Sequence, residues 1–447
     1  MNTFNLCVIG AGPGGYIAAL EAAKCGKKVA LCESRDVGGT CLNRGCIPTK
    51  ALLRAANVYH EAAVGDALGI HAQNISYNMA DMHTRVDAVT ATLRGGIAQM
   101  LAKAKVEIIC GTATITAPHT VSINGEILTA DAILIATGSS PAAPPISGID
   151  LPGVVNSDAF LTHGGIDCKK LVIIGGGVVG VEFAQIYNDL GCTVTILEAM
   201  PRLLPPLEKE FAQNLSMIFK KRGITVCTGA KVREIVQSNE GLCCRYTEKD
   251  ADAAVFADCV LVCTGRTPNT KNLCADTIDL KPQRGYLPVD AHYETAVKDI
   301  YAIGDVVLGG IQLAHAAEAA ARNFVRFLYG DASVKNTELI PSCVFTQPEI
   351  ASVGLSADEA KAQNIAVTTR KSLTSANGKA LVEGADRGFV KLVFDAESHK
   401  LRGAQLMCPH ASEMIGALAA AIGAGMTQQS LDATVFPHPT VSETILG

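Results

Sequence analysis

Two kinds of apolar pattern alternate along the first two thirds of the chain. Short dense runs occur at Asn5-Leu6-Cys7-Val8-Ile9, Lys28-Val29-Ala30-Leu31-Cys32, Leu171-Val172-Ile173-Ile174, Thr193 to Leu197 and Cys259 to Cys263. Their length and composition predict strands buried on both faces of a parallel sheet. Between them the spacing becomes helical, at Tyr16 to Cys25, Ala51 to Leu68, Asp81 to Ala104, from Val181, and over the alanine-rich Gln312 to Leu328. Further short strands are predicted at Val106 to Cys110, Val121 to Ile123, Ile133 to Ala136 and Ile300 to Ile303. After Gly330 the pattern changes. A period-two strand, Val390 to Phe394, and helices at Ser356 to Asn364 and Ser412 to Ala424 predict a separate C-terminal α+β unit.

The same strand–glycine–helix–strand unit occurs twice. Gly10-Ala11-Gly12-Pro13-Gly14-Gly15 follows the first strand, and Glu33 closes the second. Gly175-Gly176-Gly177-Val178-Val179-Gly180 repeats this, with Glu198 in the acid position. This is the dinucleotide fingerprint in its structural context. Gly10 and Gly175 make the tight turn, Gly12 and Gly177 admit a pyrophosphate, and Gly15 and Gly180 let helix and strand pack closely. The free N–H groups of each helix start offer themselves to phosphate. Glu33 and Glu198 suit a ribose diol, and a carboxylate at 198 favours NAD over NADP because it repels a 2′-phosphate. Arg202 is read as a solvated loop residue. An internal repeat of this kind points to two nucleotides in one enzyme. The proline-rich Pro141 to Pro145 reads as a linker between the two units.

With 447 residues, two to four domains are expected. A net charge of -5 argues against a nucleic-acid partner. No apolar run is long enough for a bilayer; the most apolar stretch, Ile415 to Met426, is broken by Gly416, Gly423 and Gly425. Val8 to Ala23 lacks the basic leader of a signal peptide. Sixteen cysteines in a chain of this size point to a reducing, cytoplasmic setting with mostly free thiols. The vicinal Cys243-Cys244 is expected in a strand of a small sheet with one side buried.

One cysteine pair stands apart. Gly38-Gly39-Thr40-Cys41-Leu42-Asn43-Arg44-Gly45-Cys46-Ile47-Pro48-Thr49-Lys50 follows directly on Glu33. A pair that opens and closes stores two electrons. If the segment is helical, Lys50 lies one turn beyond Cys46 and stabilises its thiolate. Two buried cysteines in a glycine-rich turn is the plain alternative. A zinc site is a third, although the usual Cys-x-x-Cys companion is absent.

Taken together these motifs resemble the flavin-dependent pyridine nucleotide-disulfide oxidoreductases and, within that family, the branch that oxidises dihydrolipoamide. The resemblance covers nearly the whole chain. It rests on both fingerprints, Gly38 to Lys50, Ala136-Thr137-Gly138, Gly265-Arg266-Thr267-Pro268-Asn269, Ile303-Gly304-Asp305 and the closing His438-Pro439-Thr440-Val441-Ser442-Glu443. It implies an α/β fold with two Rossmann-like domains, for FAD and NAD, and a C-terminal α+β dimerisation domain. The expected boundaries are 1–143 and 264–335 for the FAD-binding part, 144–263 for the NAD-binding domain and 336–447 for the interface domain. FAD contacts are expected from Gly10, Gly12, Gly15, Glu33, Lys50, Ala113, Gly138, Asp305 and Ala314. NAD contacts are expected from Gly175, Gly177, Gly180, Glu198 and Gly265, with Val178 as a gate.

By the same resemblance Cys41 exchanges with substrate and Cys46 faces the flavin, above a Lys50–Glu182 ion pair. His438, held by Glu443, is the acid–base. A dithiol must lose a proton before it attacks a disulfide, and an imidazole is poised for that. In the family this histidine comes from the partner subunit of a homodimer. The implied activity is reoxidation of protein-bound dihydrolipoyl groups with hydride passed to NAD⁺. The implied partners are lipoyl domains of 2-oxo acid dehydrogenase complexes or a lipoylated glycine cleavage carrier protein, and no lipoyl domain or redox tail is expected within the chain. Another NAD(P)H-dependent disulfide reductase, a flavin NADH oxidase or diaphorase, and a non-catalytic assembly subunit are the alternatives. Phe436, where a second histidine is common, and Arg44, where a small apolar residue is common, depart from the pattern.

Overall fold

A computed structural model describes residues 2–162, 165–330, 337–385 and 387–447. The first sheet runs in the order Glu107–Cys110, Val29–Glu33, Asn2–Ile9, Glu126–Ile135, Thr120–Ile123, Ala113–Ala117, with Ile300–Ala302 pairing on Glu126–Ile135. Its central strands are parallel, with Leu6 opposite Val29 and Ala132. Leu6, Cys7 and Val8 are fully buried, as the unbroken apolar run requires. The strand Ala113–Ala117 is absent from the sequence reading, because Thr114 and Thr116 interrupt its apolar pattern.

The second sheet, Thr225–Thr228, Thr193–Glu198, Lys170–Ile174, Cys259–Val262, Val154–Asn156, is parallel throughout. A three-stranded antiparallel sheet, Lys231–Ser238, Gly241–Glu248, Ala251–Ala257, sits beside it. Cys243 and Cys244 lie there, but both are buried, so both faces of the sheet are covered at this point. The proline-rich connection is not a free linker. Ser139–Pro141 pairs with Arg266–Pro268, so the outgoing and returning chains cross between units side by side. The expected boundary at 335–336 lies outside the described residues.

The C-terminal sheet, Ser342–Val344, Glu349–Gly354, Leu401–Cys408, Phe389–Asp395, Val367–Leu373, is antiparallel. Its period-two reading fails at Leu392, Val393 and Phe394, all of which are buried. The helix Ala411–Gly423 covers one face, while Phe389 and Met407 on the other join the core of the second unit, where Phe389 stacks on Phe211 with centroids 5.4 Å apart. Burial on both faces erases the alternation that a half-exposed strand shows.

Two helices bind the nucleotide units together. Cys46–Ala63 and Val178–Asp189 are joined by Lys50 to Glu182 at 2.8 Å, Asn57 to Gln185 at 3.5 Å and His60 to Asp189 at 3.5 Å. Asp189 is buried and also pairs with Arg222; burial raises its carboxyl to about 6, against the pull of that guanidinium.

Candidate functional site

Both fingerprints fold into the same cradle. Gly10 has φ +103° and Gly175 φ +113°, so a left-handed turn is needed at each. A Cβ on Gly10 would meet the Ala136 carbonyl oxygen at 2.4 Å; on Gly175 it would meet that of Cys263 at 2.3 Å. Helices Pro13–Lys24 and Val178–Asp189 start from Gly12 and Gly177 without a side-chain cap, which leaves their first N–H groups for an anion.

The two acids are held alike. Glu33 accepts from the amides of Ala11 at 2.7 Å and Arg35 at 2.8 Å; Glu198 accepts from Gly176 at 2.5 Å and Met200 at 2.6 Å. Each carboxylate is thereby fixed at the mouth of its glycine turn, with lone pairs left for a diol. These uncapped helices, glycine approaches and oriented acids fit a dinucleotide such as FAD or NAD at each cradle.

The cysteine stretch packs on the first cradle. Gly38 donates to the Ala11 carbonyl at 2.8 Å, and a Cβ on Gly39 would meet Gly12 Cα at 2.6 Å. Cys41 rides on the helix Gly39–Arg44, and Cys46 is the first residue of Cys46–Ala63. The segment is therefore helical, and Lys50 lies one turn beyond Cys46.

The two thiols are chemically unequal. Cys41 is raised well above the ordinary thiol range, first by its hydrogen bond with Cys46 and then by burial. Cys46 is lowered to about 7, first by that bond, with burial opposing and Lys50 assisting. Lys50, one turn along the helix, favours the thiolate at Cys46. Among the described residues no cluster of three or more His, Cys, Asp or Glu comes together as a metal site. The zinc alternative therefore finds no second pair of ligands there.

Glu182 is 2% exposed and joins three parts of the chain. Its Oε2 holds Lys50, and its Oε1 accepts from the Phe345 amide at 3.0 Å. Lys50 Nζ also lies 4.4 Å from the centre of the Phe345 ring. Two residues along in the C-terminal unit, the Gln347 amide donates to Gln185 at 2.6 Å. Phe345 and Gln347 lie outside the sequence reading, since nothing in their local pattern marks them.

Asp305, on the turn Gly304–Val306, accepts from Ser139 Oγ at 2.6 Å, and Arg266 donates to the same hydroxyl at 2.7 Å and to the Ser139 carbonyl at 2.6 Å. Gly138 and Gly265 adopt positive φ at the two crossings between units, where their carbonyls accept from Asn269 and Ala142. Ala113 is buried at the start of its strand, and Ala314 opens the uncapped helix Ala314–Tyr329. Val178 is exposed beside the second cradle.

His438 and Glu443 come together at the C-terminus. His438 Nδ1 lies 3.0 Å from Glu443 Oε1, while Glu443 Oε2 accepts from the Thr440 amide at 2.9 Å. That amide, first, and His438, second, lower the Glu443 carboxyl. The side chain of His438 is 81% exposed. Among the described residues no hydrogen bond or ion pair connects it to the cysteines of its own chain.

Residues 4–321 match the family described as pyridine nucleotide-disulphide oxidoreductase, and residues 340–446 match its dimerisation domain. The chain is 39% identical to a dihydrolipoyl dehydrogenase of Chlorobaculum tepidum, over 99% of this chain and 95% of that protein. It is 36% identical to that of Bacillus subtilis, over 99% and 96%. Among solved structures, the HOCl-induced flavoprotein disulfide reductase RclA of Escherichia coli superposes with TM-score 0.87 at 29% identity, covering 99% of this chain and 98% of that one. LpdA of Mycobacterium tuberculosis superposes with TM-score 0.90 at 26% identity, covering 100% and 98%.

Proposed function

We propose a function on one premise: the chain belongs to the pyridine nucleotide-disulphide oxidoreductase family. It is a flavoprotein oxidoreductase using FAD and NAD, and its reaction is that of a dihydrolipoyl dehydrogenase. The observation that carries the reading is the position of the unequal thiol pair. Cys41 and Cys46 lie on the first glycine cradle, and the Lys50–Glu182 contact leads from them to the second.

The chain's own groups then act as follows. His438 of one subunit, oriented by Glu443, takes a proton from a dihydrolipoyl thiol that reaches the Cys41/Cys46 disulfide of its partner. The substrate thiolate attacks Cys41 Sγ. A mixed disulfide forms, and Cys46 leaves as the thiolate that Lys50 stabilises. The second substrate thiol attacks the first substrate sulfur, its proton passes to the leaving Cys41 Sγ, the lipoyl disulfide closes, and Cys41 is released as a thiol. Gly10, Gly12, Gly15, Glu33, Ala113, Gly138, Asp305 and Ala314 hold FAD; Gly175, Gly177, Gly180, Glu198 and Gly265 hold NAD. Bound FAD supplies the two-electron carriage from the dithiol to NAD⁺.

The protein works as a homodimer through residues 340–446, and among its described residues no helix is long and apolar enough to cross a membrane. Its setting is the cytoplasm, and its substrate is a lipoyl group carried on a multienzyme complex or a glycine cleavage carrier protein. Purified protein given dihydrolipoamide and NAD⁺ is expected to form NADH in a flavin-dependent reaction. NADH oxidation with artificial acceptors but none with lipoamide overturns the assignment.

A further inference from the structure

Arg44 stands between the two cysteines, yet it does not face a substrate. Its side chain is 4% exposed, so it reaches no group arriving from solvent. One guanidinium nitrogen donates to Asp36 at 3.1 Å, and Nε lies 3.8 Å from Asp158 Oδ2. Asp158 belongs to the helix Ser157–Thr162, which precedes the second fingerprint, and Arg35 also pairs with it at 3.7 Å. Arg44 Nε and Asp158 Oδ1 are both buried without a hydrogen-bond partner.

The helix Gly39–Arg44 has six residues, no side-chain N-cap and a glycine after its last turn. A helix this short has no stability of its own, so external contacts fix its position. Asn43 does this from within the first unit, donating to the Val37 and Gly39 carbonyls and accepting from Arg94. Arg44 does it across to the second unit. A buried guanidinium between two carboxylates gains little net stability over an apolar side chain but fixes geometry.

We infer that Arg44 is a positioning residue: through Asp158 it fastens the short helix carrying Cys41 to the second nucleotide unit, and through Asp36 to the loop before that helix, and so aims Cys41 for exchange. The inference rests on the reading of Cys41 as the exchanging thiol.

The test uses flavin-loaded full-length protein carrying Arg44→Met, Arg44→Lys or Asp158→Asn. Four quantities are read: flavin content, NADH oxidation by an artificial acceptor, dihydrolipoamide turnover, and the rate at which iodoacetamide alkylates Cys41 in the reduced enzyme, followed separately from Cys46 by peptide mass. In Arg44→Met, flavin content and acceptor-linked NADH oxidation stay at parent levels. Dihydrolipoamide kcat falls by roughly ten- to a hundredfold, the range expected for a misplaced reacting group, and alkylation of Cys41 changes rate. Arg44→Lys recovers part of the turnover, and Asp158→Asn shows a smaller loss in the same direction. Parent-level dihydrolipoamide turnover in Arg44→Met overturns the inference, as does an equal loss of both activities together with flavin. If the parent itself does not turn over dihydrolipoamide, the lipoyl reading is what fails, and the alkylation rate alone then decides whether Arg44 positions Cys41.

Discussion

Lys50 Nζ and Glu182 Oε2 lie 2.8 Å apart, bridging a helix that begins at the reactive cysteine and a helix that begins at the second glycine cradle. The carboxylate is buried and the ammonium is not, so the pair holds a cation at the edge of the thiol site without neutralising it in bulk water. The two charges act on the Cys46 sulfur with opposite sign.

That opposition predicts two variants moving in opposite directions. Cys46 loses its proton near pH 7, so its thiolate should be present above that pH and lost below it. Lys50→Met removes the charge that lowers this value and should shift the titration upward. Glu182→Gln removes a charge that raises it and should shift it downward. The ultraviolet thiolate absorbance of dithiol-reduced protein, followed against pH, reads both; shifts of the same sign would contradict the electrostatic account.

His438→Gln should cut dihydrolipoamide turnover by about 10²- to 10⁴-fold, the usual size of a lost general base. Acceptor-linked NADH oxidation, which needs no substrate thiol, should continue. Glu443→Gln should cost less, because it disturbs only the orientation of the imidazole. Steady-state rates with both substrates check this, and an equal fall in the two reactions would remove His438 from its role.

The matched cradles predict separable losses. A Cβ on Gly15 would lie 1.8 Å from the Gly10 carbonyl oxygen, and one on Gly180 2.0 Å from that of Gly175. Overpacking at such contacts costs about 1–3 kcal/mol. Gly15→Ala should purify with little flavin. Gly180→Ala should keep its yellow colour and lose affinity for NADH. Flavin absorbance per chain and the KM for NADH distinguish the two.

Much of this was legible in the sequence because its causes are local. Gly10 and Gly175 announce themselves through the strand before them and the acid after them, and Lys50 through its distance from Cys46. The Lys50–Glu182 pair spans 132 positions and came only from the resemblance. Ser139, Arg266 and Asp305 meet because two chain crossings lie side by side, which no local pattern records. The sequence of Val390 to Phe394 predicts alternation, but the second unit packs on the face that alternation would leave to solvent.

The three rungs between Cys46–Ala63 and Val178–Asp189 bear on protein engineering. The nucleotide-binding half of that pair is not a cassette to be lifted out. A chimera that grafts in the corresponding unit of an NADP-using relative would have to bring partners for Lys50, Asn57 and His60, or lose the support beneath the reactive sulfur. Coenzyme preference is better redesigned by point changes around Glu198, whose carboxylate sits on the glycine turn and not on the helix face that carries Glu182, Gln185 and Asp189, so the contacts between the helices are left whole.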